Sequence, residues 1–166
     1  VYPRTLAEEL IVRAQGAEVL VTNKVFLRQA DLEQLPDLRY IGVLATGFNV
    51  VDIDICRQRR IAVTNIPGYS SHSVCQMTFA LILGLTHQLL HHNELVRNRS
   101  WSQSAEPCLV DRPLLELAGL SLGLIGFGQI AREVAQVAQA FGMQVQVFTA
   151  HPENYSDDWR QIRFVD

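Results

Sequence analysis

Gly126, Gly128 and Ala131 have the spacing of a turn that binds phosphate groups through its backbone. In such a turn the first glycine permits a sharp bend and the second lets the backbone approach a pyrophosphate. The third position needs a small residue for helix packing, and free backbone N–H groups at the helix start would hold the anion. Because any tight strand-to-helix turn favours glycine, the spacing alone also fits a turn that binds nothing.

The sequence on either side supplies the strand and the helix that this turn needs. An apolar run at residues 122–125 predicts a buried strand, and apolar residues recur at helical intervals over residues 129–141. Gly142 ends this helix, and residues 144–148 predict a second parallel strand. Strand, glycine turn, helix and strand therefore follow one another as in a dinucleotide-binding unit.

A second candidate anion site follows the predicted strand at residues 38–44. Thr46 and Gly47 are the central residues of the loop at 45–48, which lies between that strand and a predicted helix. Parallel sheets bind ligands at the carboxyl ends of their strands, and the backbone N–H groups of such a loop can form a nest for a carboxylate. An ordinary strand-to-helix loop explains the same residues, so both interpretations stay open at this point.

Strand and helix signals alternate over the first third of the chain, which predicts a parallel sheet. The predicted elements are strands at 17–22, 38–44 and 61–64, and helices at 30–35 and 52–60. After a turn at residues 66–69, Ser73 and Gln76 have the spacing of a capping box. They predict one helix over residues 73–97, with its first half buried because it is apolar almost all round. Residues 98–112 lack periodicity and predict a connecting arm.

Composition and charge narrow the class of protein. The 166 residues are 48% apolar, so the chain can bury a sizeable core, and a boundary near Tyr69 gives predicted domains 1–69 and 70–166. A net charge of −3 disfavours nucleic-acid binding. No apolar run is long enough to cross a bilayer and no leader is visible, which predicts a cytoplasmic protein without a membrane partner. Three cysteines without paired spacing argue against a disulfide framework and against structural zinc.

Two other groups of residues have the types needed for different chemistry. His87, His91 and Glu94 share a helical face at the spacing of metal ligands. A solvated polar helix end explains them better, so we predict no metal site. Cys75 lies in a predicted first helical turn near His72, where the helix dipole would lower a thiol pKa. A buried small residue is the favoured interpretation of Cys75, with a nucleophilic pair as the alternative.

Three segments together closely resemble the D-isomer-specific 2-hydroxyacid dehydrogenases: IGVLATGFNVVDID, IAVTNIPGYSSHSVCQMTFALIL and PLLELAGLSLGLIGFGQIAREVAQVAQAFGM. The resemblance covers about residues 17–148 and is strongest to the glycerate dehydrogenases, also called hydroxypyruvate reductases. It implies a flavodoxin-like parallel-sheet substrate domain and a Rossmann NAD(P)-binding domain, with the active site in the cleft between them. Since the chain starts at Val1 without a methionine and stops as a third strand begins near Phe164, both domains are expected to be incomplete.

The resemblance implies roles for individual residues. Thr46 and Gly47 match the loop whose backbone amides hold the substrate carboxylate. Thr78 matches a position that contacts the nicotinamide end of the cofactor, with a threonine bonded to its own helix backbone as the alternative. The pyrophosphate turn is matched by Gly126, Gly128, Gln129 and Ile130. The family's proton-transferring histidine, its glutamate partner and its substrate-orienting arginine have no match here. We therefore assign no catalytic residue and expect this polypeptide alone to be inactive.

Two positions depart from the family pattern. Thr149 is predicted to contact the cofactor at the end of the second strand, where NAD-preferring members carry an acidic residue for the ribose hydroxyls. A carboxylate there would repel a 2′-phosphate, so its absence leaves the cofactor as NAD or NADP, with His151 or Arg160 as a source of positive charge. Gln129 stands where relatives often have arginine, which weakens only the electrostatic part of pyrophosphate binding.

The predicted function is that of an oxidoreductase. It would transfer a hydride between NAD(P)H and a small 2-oxo or 2-hydroxy acid of the hydroxypyruvate/D-glycerate or glyoxylate type. The family's habit and the long arm predict a homodimer formed through the nucleotide-binding half. One alternative is a non-enzymatic protein of the same fold, like the C-terminal-binding-protein corepressors, which use NAD(H) binding to assemble with partners. Another is a folding fragment whose sheet edges pair with a second copy.

Overall fold

In the computed structural model the chain forms two compact units, Val1–Tyr69 and Ser70–Asp166. The residues described are 1–109, 111–155, 159 and 161–165. Each unit contains a three-stranded sheet in which all the described pairs of strands are parallel. The predicted α/β class with parallel sheets is therefore confirmed.

The first unit consists of three helices and three strands. In chain order they are α1 Ala7–Ala14, β1 Val19–Thr22, α2 Gln29–Glu33, β2 Tyr40–Val43, α3 Ile53–Gln58 and β3 Ala62–Thr64. The strands lie side by side in the order β1-β2-β3, with Val21 opposite Gly42 and Gly42 opposite Thr64. The predicted alternation over this part of the chain is confirmed, whereas α1 was not predicted. Asp52 caps α3 by accepting a hydrogen bond from the Ile55 N–H at 3.3 Å.

The second unit contains the predicted glycine turn within a second parallel sheet. Its elements are α4 Ser71–Thr86, α5 Leu89–Arg97, β4 Ser121–Ile125, α6 Gln129–Ala140, β5 Gln144–Phe148, a 3₁₀ helix at Pro152–Tyr155 and β6 Arg163–Val165. The strand order is β4-β5-β6. Val134, Ala135 and Ala138 on α6 are buried in one apolar cluster with Val145 and Val147 on β5. The predicted succession of strand, turn, helix and strand is confirmed, and β5 has the predicted bounds.

The single helix predicted over residues 73–97 is wrong, because α4 and α5 meet at Gln88 with a bend of 60°. Gln88 has a φ of +47°, in the left-handed region. The residues just after the connecting arm bond to this break: the Leu115 N–H donates to the Thr86 carbonyl at 3.1 Å, and Gln88 Nε2 donates to the Pro113 carbonyl at 2.8 Å. In the part of the chain that is described, no single helix is long and apolar enough to cross a membrane, and α4 and α5 meet that test only as a bent pair.

The start and the burial of α4 also differ from the prediction. The turn before it runs directly into the helix, so α4 begins at Ser71 and its N-cap, Ser70, makes no side-chain capping bond. Ser73 and Gln76 lie inside the helix and form no capping box. The first half of α4 is not buried on all sides, because packing within the unit covers only one face. The other face carries an exposed row that we call the α4 stripe: Val74, Met77, Leu81 and Leu85.

Candidate nucleotide and substrate sites

The glycine turn joins β4 to α6. Its two glycines differ in backbone conformation. Gly126 has a φ of +84°, a left-handed conformation that favours glycine, and its N–H donates to the Phe148 carbonyl at 2.7 Å. Gly128 has a φ of −73°, which any residue adopts, and a Cβ added there would meet no atom within 4 Å. Neither backbone strain nor packing requires a glycine at position 128, and the space in front of its backbone is open.

Free backbone donors lie next to this open position. Gly128 is the N-cap of α6, no described side chain caps the helix, and its first turn contains no acidic residue. The N–H groups of Gln129 and Ile130 therefore remain available to an anion, and the helix dipole adds about 0.3–1 kcal/mol toward binding it. These features fit a pyrophosphate group.

Phe127, between the two glycines, holds the turn to the core. Its side chain is 2% exposed. Its ring makes edge contacts with the rings of Tyr155, Trp159 and Phe164, at centroid distances of 5.1, 5.0 and 5.6 Å. Sequence patterns did not single out Phe127, although an aromatic residue flanked by two glycines is a usable signal. The centre of the glycine turn is thereby packed against the core of the unit.

The residues after β5 lie at the same edge of the sheet as the turn. Thr149 is half-buried and directly follows β5, the strand that neighbours β4. His151 Nδ1 lies 3.1 Å from Glu153 Oε1. Arg160, the other predicted source of positive charge, lies outside the described residues. The structure therefore brings Thr149 and the glycine turn to one edge of the sheet.

Thr78 makes the hydrogen bond that was predicted as the alternative to cofactor contact. Its Oγ1 donates to the Val74 carbonyl one turn earlier in α4, at 2.8 Å. A hydroxyl that donates in this way keeps its lone pairs as acceptors. Contact between Thr78 and the cofactor stays a prediction, with the oxygen as an acceptor for a donor on the nicotinamide end.

Cys75 is part of the core of the second unit and is not an activated nucleophile. Burial raises the pKa of its thiol, and the Glu133 carboxylate raises that pKa further. His72 Nδ1 lies 3.1 Å from Glu133 Oε2, so its close partner is the carboxylate on α6. A protonated, buried thiol is a poor nucleophile. The structure thus favours the interpretation of Cys75 as a small core residue.

His91, one of the residues considered as metal ligands, instead pairs with a carboxylate. Its Nε2 lies 2.7 Å from Asp111 Oδ2, and this hydrogen bond holds the pKa of the Asp111 carboxyl below its usual value. The contact fastens the connecting arm to α5. Among the residues that the structure describes, no group of three His, Cys, Asp or Glu side chains could hold a metal ion.

In the first unit, the loop after β2 is tied to the loop after β3. Asn65 Nδ2 donates to the Thr46 carbonyl at 2.7 Å, and Thr46 Oγ1 donates to the Ile66 carbonyl at 3.3 Å. The Ile66 N–H donates to the Ala45 carbonyl at 3.0 Å. These bonds fix the backbone on both sides of Thr46, and Gly47 beside it is exposed. Sequence patterns did not single out Asn65, although a polar residue just after a parallel strand is a usable signal.

Comparison with known proteins assigns the chain to a family. Residues 1–156 match the family described as "D-isomer specific 2-hydroxyacid dehydrogenase, catalytic domain". The chain belongs to this family. The predicted resemblance to this family is confirmed, and proteins named hydroxypyruvate reductase and glycerate dehydrogenase are among the matches.

One similar protein is a hydroxypyruvate reductase from Blautia hydrogenotrophica. It is 40% identical over 169 residues, which cover 100% of this chain and 52% of the relative. The solved D-lactate dehydrogenase from Aquifex aeolicus, complexed with NAD and lactic acid, is 31% identical with a TM-score of 0.75, covering 94% of this chain and 45% of that one. An acyclic imino acid reductase in complex with NADPH and D-Arg is 26% identical with a TM-score of 0.78, covering 100% and 51%. The chain spans about half the length of the curated relatives it matches.

Proposed function

We propose that the protein transfers a hydride between NAD(P)H and a small 2-oxo acid of the hydroxypyruvate or glyoxylate type. The observation that carries the proposal is Gly128, an unstrained glycine with open space in front of it at the free start of α6. Such a position lets a phosphate group approach the backbone N–H groups closely. The names of the relatives support the reaction class, since one is a hydroxypyruvate reductase and another binds NAD with lactic acid. These enzyme names favour catalysis over the corepressor-like alternative.

Each unit has a proposed part in this reaction. Residues 1–69 form the substrate domain, in which the backbone N–H groups of Thr46 and Gly47 bind the substrate carboxylate. Residues 70–166 form the NAD(P)-binding domain, in which the glycine turn binds the pyrophosphate. The nicotinamide supplies or accepts the hydride when the cofactor is bound. The proposed contacts of the cofactor in this domain are Gly126, Gly128, Gln129, Ile130, Thr78 and Thr149.

A titration tests the proposal directly. Purified protein is titrated with NADH and separately with NADPH while nicotinamide fluorescence is followed, and hydroxypyruvate and glyoxylate are then added to the full-length enzyme. We expect saturable binding of at least one nucleotide and oxidation of that nucleotide with one of the acids. Absence of a saturable response to both nucleotides would contradict the proposal.

Asn65 is proposed to position the carboxylate loop without touching the substrate. Asn65→Ala removes the bond to the Thr46 carbonyl, which is worth about 1 kcal/mol or roughly a fivefold change. We expect the KM for the 2-oxo acid in the full-length enzyme to rise about fivefold, with kcat changed less than twofold. Asn93→Ala, which alters an exposed asparagine on α5, serves as the control. An unchanged KM in Asn65→Ala would remove the role assigned to this side chain.

We propose that the enzyme is a homodimer whose contact includes the α4 stripe. Exposed contiguous apolar surface on a soluble protein commonly marks an interaction site. Leu81 and Leu85 in this stripe are 61% and 80% exposed, one helical turn apart. The double substitution Leu81→Glu with Leu85→Glu is expected to shift sedimentation at micromolar concentration from dimer to monomer. Val12→Glu, at a 78% exposed position on α1, is the matched control and should leave the dimer intact. A monomeric wild-type protein would contradict the assignment.

A cytoplasmic location is proposed from the cysteines. Cys56, Cys75 and Cys108 are all free, two of them buried and one exposed. Free thiols persist in reducing compartments, where disulfides are rare. A net charge of −3 disfavours nucleic acid as a partner.

A further inference from the structure

The first unit contains a cavity between α3 and β3. Its volume is about 360 Å³, which lies in the range of pockets that bind small molecules. One wall is formed by residues of α3 at spacings of three and four, which share a helical face: Ile53, Cys56 and Arg57. Val63 on β3 and Asn65 just after it also line the cavity, as does Phe48 at the end of the loop 45–48. The loop that is proposed to hold the substrate carboxylate therefore contributes a side chain to this cavity.

The lining of the cavity is mostly apolar and carries one cation. Burial raises the pKa of the Cys56 thiol, and the Asp52 carboxylate raises it further, so this side chain is neutral near pH 7. Among the described lining residues, the formal charge is that of Arg57. Arg57 Nη1 lies 3.2 Å from Asp54 Oδ1, with the two side chains 77% and 84% exposed. An exposed pair of this kind contributes little to stability, so Arg57 can pair with the carboxylate of a ligand at small cost.

Two of the lining residues connect the cavity to the proposed substrate site. Asn65 lines the cavity, and its Nδ2 donates to the Thr46 carbonyl at 2.7 Å. Phe48 lines the cavity and directly follows Gly47 in the chain. The backbone N–H groups of Thr46 and Gly47 are those proposed to bind the substrate carboxylate. A molecule that packs against Asn65 and Phe48 therefore stabilises the arrangement of the loop that the structure shows.

We propose that this cavity is a regulatory site for a small amphipathic carboxylic acid. The apolar tail of the acid lies between α3 and β3, and its carboxylate pairs with Arg57. Occupancy holds Phe48 and Asn65 in place and so raises the affinity of the loop 45–48 for a 2-oxo acid. Because such coupling is reciprocal, the 2-oxo acid raises the affinity of the cavity by the same factor. The coupling rests on the proposed function, whereas binding in the cavity does not.

Titration of the full-length enzyme with hexanoate, followed by ligand-observed NMR, tests binding. Hexanoate has both the tail and the charge, 1-hexanol has only the tail, and acetate has only the charge. We expect saturable binding of hexanoate and about fivefold weaker binding of 1-hexanol, the difference that one exposed ion pair makes. Acetate should not bind measurably, because it buries too little apolar surface.

Two substitutions test whether hexanoate binds in this cavity. Val63→Phe fills the space with a ring and is expected to weaken hexanoate binding more than about tenfold. Arg57→Gln changes an exposed side chain and is expected to weaken hexanoate binding about fivefold without affecting 1-hexanol. Arg97→Gln makes the same change at an exposed position on α5 and should leave both ligands within twofold of wild type. Thermal unfolding of each variant verifies that it is folded.

Steady-state kinetics with hydroxypyruvate test the coupling. Saturating hexanoate is expected to lower the KM of the full-length enzyme about fivefold, the equivalent of one hydrogen bond in the loop, with kcat changed less than twofold. In Asn65→Ala the KM should no longer respond to hexanoate, because the bond to the Thr46 carbonyl is absent.

The remaining outcomes separate this inference from the proposed function. Absence of hexanoate binding, or equal binding to wild type and Arg57→Gln, would overturn the inference and leave the proposed function standing. A KM that stays constant or rises with hexanoate would overturn the regulatory role. Binding of hexanoate by an enzyme that turns over neither hydroxypyruvate nor glyoxylate would contradict the proposed function and, with it, the coupling.

Discussion

Gly128→Asp is expected to abolish nucleotide binding while the protein stays folded. Position 128 is the N-cap of α6, where aspartate is among the preferred residues, and its φ of −73° suits any side chain. The added side chain meets no protein atom within 4 Å at its Cβ, so the melting temperature should be unchanged or slightly higher. The carboxylate would lie where the pyrophosphate binds. Like charges placed together cost several kcal/mol, which predicts an affinity loss of at least about 100-fold.

Two further variants separate charge from size in this experiment. Gly128→Ala adds only the Cβ and should weaken binding by roughly tenfold, the loss expected when a backbone N–H can no longer be approached closely. Gln136→Glu adds one negative charge at an exposed position on the same helix and should change the Kd less than twofold. Titration with NADH and thermal unfolding are measured on all three. Wild-type affinity in Gly128→Asp would mean that the helix start does not bind the dinucleotide.

Phe127→Ala is expected to cause the largest loss of stability from one substitution in the second unit. The side chain is 2% exposed and its ring touches those of Tyr155, Trp159 and Phe164. Removal of a buried phenylalanine costs about 3–5 kcal/mol through lost burial and the cavity left behind. The free energy of unfolding is measured in urea, with tryptophan fluorescence as the signal because the ring of Trp159 lies 5.0 Å from that of Phe127.

Comparison with two other substitutions shows whether the aromatic contacts matter. Phe127→Leu keeps most of the volume and loses the edge contacts, so its expected cost is about 1–2 kcal/mol. Phe26→Ala removes a ring that is 51% exposed in the first unit and should cost less than about 1 kcal/mol. If Phe127→Ala and Phe26→Ala had equal costs, the anchoring role of Phe127 in the glycine turn would be wrong.

Features set by neighbouring residues were predictable from sequence. The bounds of β5 agree with the predicted residues 144–148, and Gly142 ends the preceding helix with a φ of +74°. Gly126 was predicted to make the sharp bend and has the left-handed φ that such a bend requires. The strand bounds, the helix end and the sharp bend each depend on the conformational freedom or the polarity of residues a few positions apart. The spacing of residue types in the sequence therefore predicts them.

Contacts between distant residues were not predictable in the same way. The sequence contains no helix-breaking residue at Gln88 or beside it, yet α4 ends at Thr86, where the Leu115 N–H bonds to the last turn and the Pro113 carbonyl accepts from the Gln88 side chain in the break. The bond from Asn65 to the Thr46 carbonyl joins residues 19 positions apart. Its existence depends on β2 and β3 lying side by side, which single-residue propensities do not specify.

The sequence by itself determined the parallel α/β class, the glycine turn and the family, because backbone preference and the spacing of apolar residues act over short distances. Only the tertiary structure decided that Phe127 is buried, that the long helix breaks, and that one face of α4 stays uncovered. These outcomes depend on which surfaces meet after folding. The burial of a side chain depends on the residues that pack around it in the folded unit, so the identity of that residue does not determine it.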